Sequence, residues 1–235
     1  ELDGEIVGFY IKDVSKYSQR LNLLLAVADK EFRGDNVPKS AMVRSAAVMK
    51  GYKETGERGK VDLVEQYSTI LGSVAPRPHM RRPYPNISSV HRDKKAKTFV
   101  KAMWGACLEA EQIIKEITPK IYERQVELFE DVKDEWKFGT MYTSSISNFN
   151  ISAPFHRDTG NIVGTVNTIL TKRNNANGGC LNVPDYNVTF EQADNSMLVY
   201  PAWKNVHGVT PIKPIAENGY RNSLIFYPLK AFKGI

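Results

Sequence analysis

The amino-acid sequence predicts an α+β fold: a jelly-roll core, or double-stranded β-helix, that carries an N-terminal helical layer. Three observations predict it. Apolar residues recur at helical spacing up to about residue 135. After Trp136, short segments rich in Val, Ile, Thr, Tyr and Phe are divided by Asn, Gly and Pro. The composition, 42% hydrophobic and 25% charged, is that of a globular chain with a real core. No repeat or low-complexity tract splits the 235 residues. Residues 1–235 therefore read as a single domain, with about 1–135 a mainly helical layer plus a basic loop and about 136–235 the jelly roll.

Helices are expected at 15–31, 38–52, 60–71, 94–117 and 119–132. In the fourth, Phe99, Val100, Met103, Trp104, Cys107, Leu108, Ala110 and Ile114 would form one buried stripe. The fifth opens with Thr118-Pro119, an N-cap residue before a proline at the first helical position, and its Ile121, Val126, Leu128 and Phe129 could cover a sheet. Strands are expected at 140–155, 162–171, 180–190, 196–201, 205–212 and 221–229. The run Asn174-Asn175-Ala176-Asn177-Gly178-Gly179 marks one turn and Glu217-Asn218-Gly219 another. Many short strands at this spacing suggest a sandwich or barrel of the jelly-roll type.

Several function classes drop out. No apolar run approaches the roughly 18 residues of a bilayer span, so no membrane partner is expected. No secretory pattern opens the sequence, and it reads as intracellular. Cys107 and Cys180, 73 residues apart, exclude a disulfide framework and a Cys-rich zinc module. Nothing indicates a protein partner.

The formal charge is +6, from 32 basic and 26 acidic residues. Residues 77–97 hold seven Lys/Arg and one acid, which leaves 32 − 7 = 25 basic and 26 − 1 = 25 acidic residues elsewhere. The whole excess thus lies in one stretch, whose first part is held extended by Pro78, Pro83 and Pro85. Such a stretch suits phosphate contact, with Arg77, Arg81 and Arg82 as candidates for a nucleic-acid backbone, although a solvated loop would carry similar charge.

Only four histidines occur, and two open a His-Arg-Asp triplet. His91-Arg92-Asp93 lies in a polar, lysine-rich helix start, where Asp93 suits the first turn. His156-Arg157-Asp158 ends a strand-like segment, so His156 and Asp158 project to one face. The same parity puts Asn148, Asn150 and Ser152 on that face, and Phe149, Ile151, Ala153 and Phe155 on the other. Two histidines and a carboxylate form the facial triad of non-haem Fe(II) oxygenases, which leaves coordination positions open. The third ligand must come from a distant strand, and His207 is the only later histidine. Fourteen residues beyond it stands Arg221, with Ser223 in strand parity. A guanidinium there can take the far carboxylate of a 2-oxoacid in bidentate fashion, and Ser223 can add a hydroxyl contact.

These motifs resemble the TET/JBP family of Fe(II)- and 2-oxoglutarate-dependent nucleic-acid dioxygenases, in a small fungal-type form. Pro154-Phe155-His156-Arg157-Asp158-Thr159-Gly160-Asn161 followed by Thr165-Val166-Asn167-Thr168-Ile169-Leu170-Thr171 is similar to the family's first metal motif and next strand. Gly178-Gly179-Cys180-Leu181 resembles its Gly-Gly-x-Leu hairpin, His207-Gly208-Val209-Thr210-Pro211 its distal-histidine motif, and Arg221-Asn222-Ser223-Leu224-Ile225-Phe226-Tyr227 its closing strand. Residues 72–90 resemble basic segments of the small fungal members.

The resemblance implies iron on His156, Asp158 and His207, 2-oxoglutarate on Arg221 and Ser223, and O2 as the oxidant. It implies that Asn161 contacts a base flipped out of DNA and that Tyr227 stacks on it. The expected reaction is oxidation of a methyl group on that base. 5-Methylcytosine, taken to 5-hydroxymethylcytosine and further, comes first, with N6-methyladenine or thymine as alternatives. A protein or small-molecule hydroxylase is the other enzyme reading. One departure bears on the base: animal members carry a base-contacting His two residues beyond the stacking aromatic, where this chain has Leu229. The family also implies a nuclear location.

Overall fold

The computed structural model describes residues 4–41 and 65–235. Its strands are β1 (Phe9–Ile11), β2 (Ser40–Ala41), β3 (Tyr67–Val74), β4 (Asn86–Ile87), β5 (Ser144–Phe149), β6 (Ala153–His156) and β7 (Asn167–Asn174). There follow β8 (Ala176–Gly178), β9 (Leu181–Val183), β10 (Val188–Phe190), β11 (Met197–Tyr200), β12 (His207–Val209), β13 (Ile212–Pro214) and β14 (Tyr220–Tyr227). The helices are α1 (Gln19–Arg33), a single turn α2 (Ser89–Arg92), α3 (Lys97–Ile117) and α4 (Pro119–Leu128).

Alternation along the strands builds two layers. A large antiparallel sheet runs β1-β11-β7-β14-β5-β3-β2, with β4 added to β3, and a smaller sheet runs β10-β9-β12-β6. Ile169, Leu198 and Ile225 of the large sheet pack with Leu181, Val183 and Val209 of the small one, so the two sheets form a sandwich. Their chain neighbours Leu170, Val199, Leu224 and Phe226 point the other way and join the helices' Leu21, Leu25, Phe99 and Met103 in the main core. A side chain buried like Leu25 or Phe99, both at 0% exposure, contributes about 2 kcal/mol. The jelly roll with helices on one face is the expected class of fold.

The first 135 residues are less helical than their sequence suggests. β1 and β3 extend the large sheet on either side. The helix expected at 60–71 is, over its described part, strand β3. Tyr67, Thr69 and Leu71 are buried in alternation, and Ile70 pairs with Ile146 across β5. β-Branched and aromatic side chains suit that pleated surface. The helix expected at 38–52 is replaced at Ser40–Ala41 by β2, and from residue 42 it lies outside the described residues.

The remaining helices stand near their predicted bounds. Ser18 caps α1 by accepting from the Leu21 N–H at 3.0 Å. In α3 the buried face carries Phe99, Met103, Cys107, Ala110 and Ile114 as expected, while Trp104 and Leu108 turn partly to solvent and Glu111 turns inward. The Glu111 carboxylate accepts the backbone N–H groups of Thr140 and Met141, and burial raises its pKa. Thr118 occupies the N-cap position of α4, but its hydroxyl donates back to the Ile114 carbonyl. That helix stops at Leu128, and Phe129 packs with Val132, Ile162 and Phe232 in a small separate cluster.

The segment expected to run straight from 140 to 155 is broken in two. Asn150 has φ 54°, a left-handed conformation that resets side-chain alternation. Its side-chain oxygen accepts from the Arg221 N–H and its own N–H donates to the Arg221 carbonyl, both at 2.9 Å, which holds the break in place. The chain there leaves the large sheet for the small one. The parity read backwards from His156 consequently fails: Ile151 and Ala153 line the inter-sheet cavity together with Asn148.

Candidate metal centre and cofactor pocket

A cavity of about 470 Å³ lies between the sheets, within the usual size of small-molecule sites. His156 ends β6 and His207 begins β12, and the two are direct antiparallel partners. Residues 51 positions apart thus stand side by side, with ring centroids 4.3 Å apart. Asp158 follows in the turn after β6, where its N–H donates to the Ala202 carbonyl at 3.0 Å. One ligand atom from each of His156, Asp158 and His207 falls within 4.8 Å of the others. Asp158 Oδ1 is 3.4 Å from His156 Nε2 and 3.9 Å from His207 Nε2.

The hydrogen bonds around these groups suit a metal. His156 Nδ1 pairs with the Pro154 carbonyl at 2.8 Å, and His207 Nδ1 with the Asn205 carbonyl at 3.0 Å. A carbonyl accepts only, so each Nδ1 carries the proton and each Nε2 presents its lone pair to the shared centre. Burial pushes His207 below the ordinary histidine pKa, partly offset by the Asn205 carbonyl and the Asp158 charge. Asp158 Oδ2 accepts from Asn167 Nδ2 at 2.8 Å, which leaves Oδ1 toward the histidines. His156 is exposed, Asp158 half-buried and His207 buried, so the centre is open on one side. Three ligands with an open side are the donor set of a non-haem Fe(II) site.

The other predicted pocket residues come from β14 and the turn after β6. Arg221, Ser223, Ile225 and Tyr227 all line the cavity, as strand parity requires. Arg221 is 2% exposed, and no described carboxylate pairs with it. Its Nε has no partner among the described residues, and its terminal nitrogens reach only Ser223 Oγ at 3.4 Å and Gln192 Oε1 at 3.5 Å. Burial, with the charge of Arg173 beside it, lowers its pKa to about 10. A buried, under-coordinated guanidinium lining the cavity fits the distal carboxylate of 2-oxoglutarate. Gly179 makes room for it and Gly178 for the adjoining strand, and both have positive φ, 66° and 73°. A Cβ on Gly178 would come within 1.9 Å of the Pro211 carbonyl oxygen, and one on Gly179 within 3.2 Å of Arg221 Cδ.

Asn161 also lines the cavity and is 4% exposed. Burial raises the Tyr227 phenol to about 12, so it stays neutral, while the Ser144 hydrogen bond and the Arg77 charge work against the rise. Arg77, Arg81 and Arg82 do not line the cavity. They are exposed on a tight turn closed by paired backbone bonds between Arg77 and Arg82, with Arg81 at φ 57°. His91 has a structural place, accepting from the Gly72 N–H at 3.3 Å and lying edge-on to Phe138.

The motifs alone did not single out the roles of Asn167, Gln192 or Tyr200. Asn167 supports Asp158, Gln192 lies between Arg221 and Thr171, and the Tyr200 ring meets His207 edge-on at 5.3 Å. Asn167 and Tyr200 are cross-strand partners on β7 and β11, so pairing those strands would have brought both into view.

Comparisons with known proteins agree with this geometry. The Tet/JBP model, the oxygenase domain of the 2OGFeDO superfamily, matches residues 77–230. Among solved structures the chain is similar to NgTET1 in complex with 5mC DNA, at 13% identity and TM-score 0.55, covering 92% of this chain and 91% of that one. It is also similar to a 2OG-Fe(II) oxygenase family oxidoreductase from Burkholderia pseudomallei, at 12% identity and TM-score 0.48 over 95% and 85% of the two chains. JOX2 in complex with 2OG, Fe and JA follows, at 11% identity and TM-score 0.47 over 95% and 68%. At these identities the likeness is one of fold. No curated protein matches the chain by sequence. With the family model covering more than half its length, the chain belongs to the Tet/JBP family and is a dioxygenase whose cofactors are Fe(II), 2-oxoglutarate and O2.

Proposed function

We propose that this dioxygenase oxidises the methyl group of a base flipped out of DNA, with 5-methylcytosine as substrate, taken to 5-hydroxymethylcytosine and further. The observation that carries this reading is that Asn161 and Tyr227 share one cavity with the His156, Asp158, His207 triad. An amide and a neutral phenol ring beside an open metal site suit a planar, hydrogen-bonding substrate. A methyl group inside a stacked duplex cannot reach a cavity between two sheets, so the base must leave the stack. NgTET1, of similar fold, is in complex with 5mC DNA, which supports a nucleic-acid substrate.

Iron held by His156, Asp158 and His207, with 2-oxoglutarate on Arg221 and Ser223, would supply the O2-dependent oxidation of a C–H bond, the co-substrate being consumed to succinate and CO2. The protein supplies position. His156 and His207 offer Nε2 atoms whose direction is set by the Pro154 and Asn205 carbonyls. Arg221 and Ser223 anchor the far end of the co-substrate, Asn161 takes the polar edge of the base, and Tyr227 covers its face. N6-methyladenine is the second reading, favoured by Leu229, which gives the cavity an apolar wall near Asn161. Oxidation at that N-methyl would release formaldehyde. A nuclear location belongs to the same proposal.

Nucleoside mass spectrometry is the direct test, after incubation with iron, 2-oxoglutarate and DNA bearing 5-methylcytosine or N6-methyladenine. Oxidised 5-methylcytosine is expected, and the absence of any oxidised base would sink the reading. The turn bearing Arg77, Arg81 and Arg82 would hold the DNA backbone, since it presents three exposed cations together. Replacing all three with Ser should weaken DNA binding at least tenfold at low salt and lower the salt-dependence slope by about 2 to 3. Iron binding should not change, and an unchanged slope would assign the DNA to another surface.

A further inference from the structure

Three polar side chains that line the cavity are joined by hydrogen bonds, starting from Asp158 of the metal centre. Asn167 Nδ2 donates to Asp158 Oδ2, and Asn161 Nδ2 donates to Asn167 Oδ1, each at 2.8 Å. Both asparagines are buried, at 2% and 4% exposure. The polarity of this line follows from chemistry. A carboxylate that ligates a metal offers acceptors only, so Asn167 must face it with its NH2 group. The Asn167 carbonyl is then left for Asn161, which must answer with its own NH2 group. The remaining end of Asn161 is Oδ1, an acceptor, and no described residue donates to it.

We propose that Asn167 is a positioning residue that locks Asn161 with its carbonyl toward the base, so that the pocket selects a base whose group beside the methyl is an N–H donor. This rests on the site being one that oxidises a base methyl group. An unconstrained asparagine could turn either end to its ligand and would favour neither an amine nor a carbonyl. Here the turn is forbidden, because reversing Asn161 would set two carbonyl oxygens against each other, and reversing Asn167 as well would set one against Asp158. Asn161 is thus tied through Asn167 to a residue of the triad, and in the proposed complex it meets the substituent next to the methyl group. In 5-methylcytosine that substituent is the 4-amino group, and in N6-methyladenine the N–H carries the methyl itself. Thymine puts a carbonyl oxygen there, lone pair against lone pair. A mismatch of this kind in a buried site lowers affinity by roughly ten- to a hundredfold.

Base selection can be measured without turnover. The protein is loaded anaerobically with saturating Mn(II), verified by electron paramagnetic resonance, and with 2-oxoglutarate. It is titrated with duplexes that place 5-methylcytosine, N6-methyladenine or thymine opposite an abasic site, so that pairing strength cancels. A 2-aminopurine beside the target base reports flipping. Wild-type protein should bind both amine-bearing bases at least about tenfold more tightly than thymine. Asn167→Leu should bring the three within about twofold. A residue that merely supports the fold would weaken all three equally, so a preserved ratio in that variant overturns the proposal. Should Asn167→Leu fail to fold, Asn161→Ala removes the acceptor itself and must abolish the preference. Equal binding of all three bases by wild-type protein refutes the amine selection and leaves methyl oxidation standing. No fluorescence response to any duplex removes the flipped-base reading and this inference with it.

Discussion

Asp158→Asn should abolish iron binding and leave the fold as stable as the wild type. The replacement keeps the shape of the side chain and can still accept the Asn167 hydrogen bond through its carbonyl. What then faces His156 and His207 is an NH2 group, with neither a lone pair nor a charge to offer a cation. An anaerobic titration with Fe(II) and 2-oxoglutarate should show the charge-transfer band in the wild type and none in the variant. Disturbing a group that only supports a ligand costs ten- to a hundredfold in metal affinity, so loss of the sole carboxylate should cost turnover on the order of a thousandfold or more. His207→Ala makes an informative partner. It should lose the same band, yet it also removes a ring that is 3% exposed and packs edge-on to Tyr200. That variant should therefore unfold a few degrees lower, while Asp158→Asn does not. A band surviving in either variant would take that residue out of the triad.

The part of this site that could be read from the sequence is the part written in strand parity. Arg221, Ser223 and Tyr227 share one face of β14, and no bulge or turn interrupts the pairing of β14 with β5 and β7. Parity failed where the backbone conformation changed. Asn150 at φ 54° moves the chain between sheets, so the wall of the cavity next to His156 is apolar Ile151 and Ala153, where a polar wall was expected. Nothing in the residue type announces that reset, since asparagine suits strand ends and turns alike. β3 was misread because Tyr67 to Leu71 contains apolar residues dense enough to satisfy either period over a short run. The role of Asn167 depends on which side chains of the turn after β6 lie 2.8 Å away, and no spacing along the chain encodes that. The family resemblance named Asn161 but left its amide free to face either way. Its polarity becomes defined only through Asn167.

Arg221→Met should make the protein without co-substrate more stable and its handling of 2-oxoglutarate far worse. The guanidinium is buried with an unpartnered Nε and no described carboxylate. Its folded pKa of about 10 lies below the ordinary arginine range. For a cation, a lowered folded pKa means that the folded state disfavours the charge. The penalty is full at every pH below about 10, fades as pH rises from there and is gone at the free value, so between pH 5 and 9 it is constant, on the order of 3 kcal/mol. Methionine fills much of the volume without the charge, and each kcal/mol recovered should raise Tm by about 2–4 °C in a domain of this size. Binding reverses the sign. In the wild type the 2-oxoglutarate carboxylate meets a donor already stripped of water and pointed at it, so saturating co-substrate should raise Tm strongly, and in Arg221→Met hardly at all. Truncating one partner of a buried charge pair costs about 3–5 kcal/mol, which corresponds to a rise in KM for 2-oxoglutarate of roughly two to four orders of magnitude. Differential scanning fluorimetry with and without co-substrate reads both halves at once. A variant less stable than the wild type in the absence of 2-oxoglutarate would mean that Arg221 is held by a partner within the protein, and its assignment to the cofactor would fall.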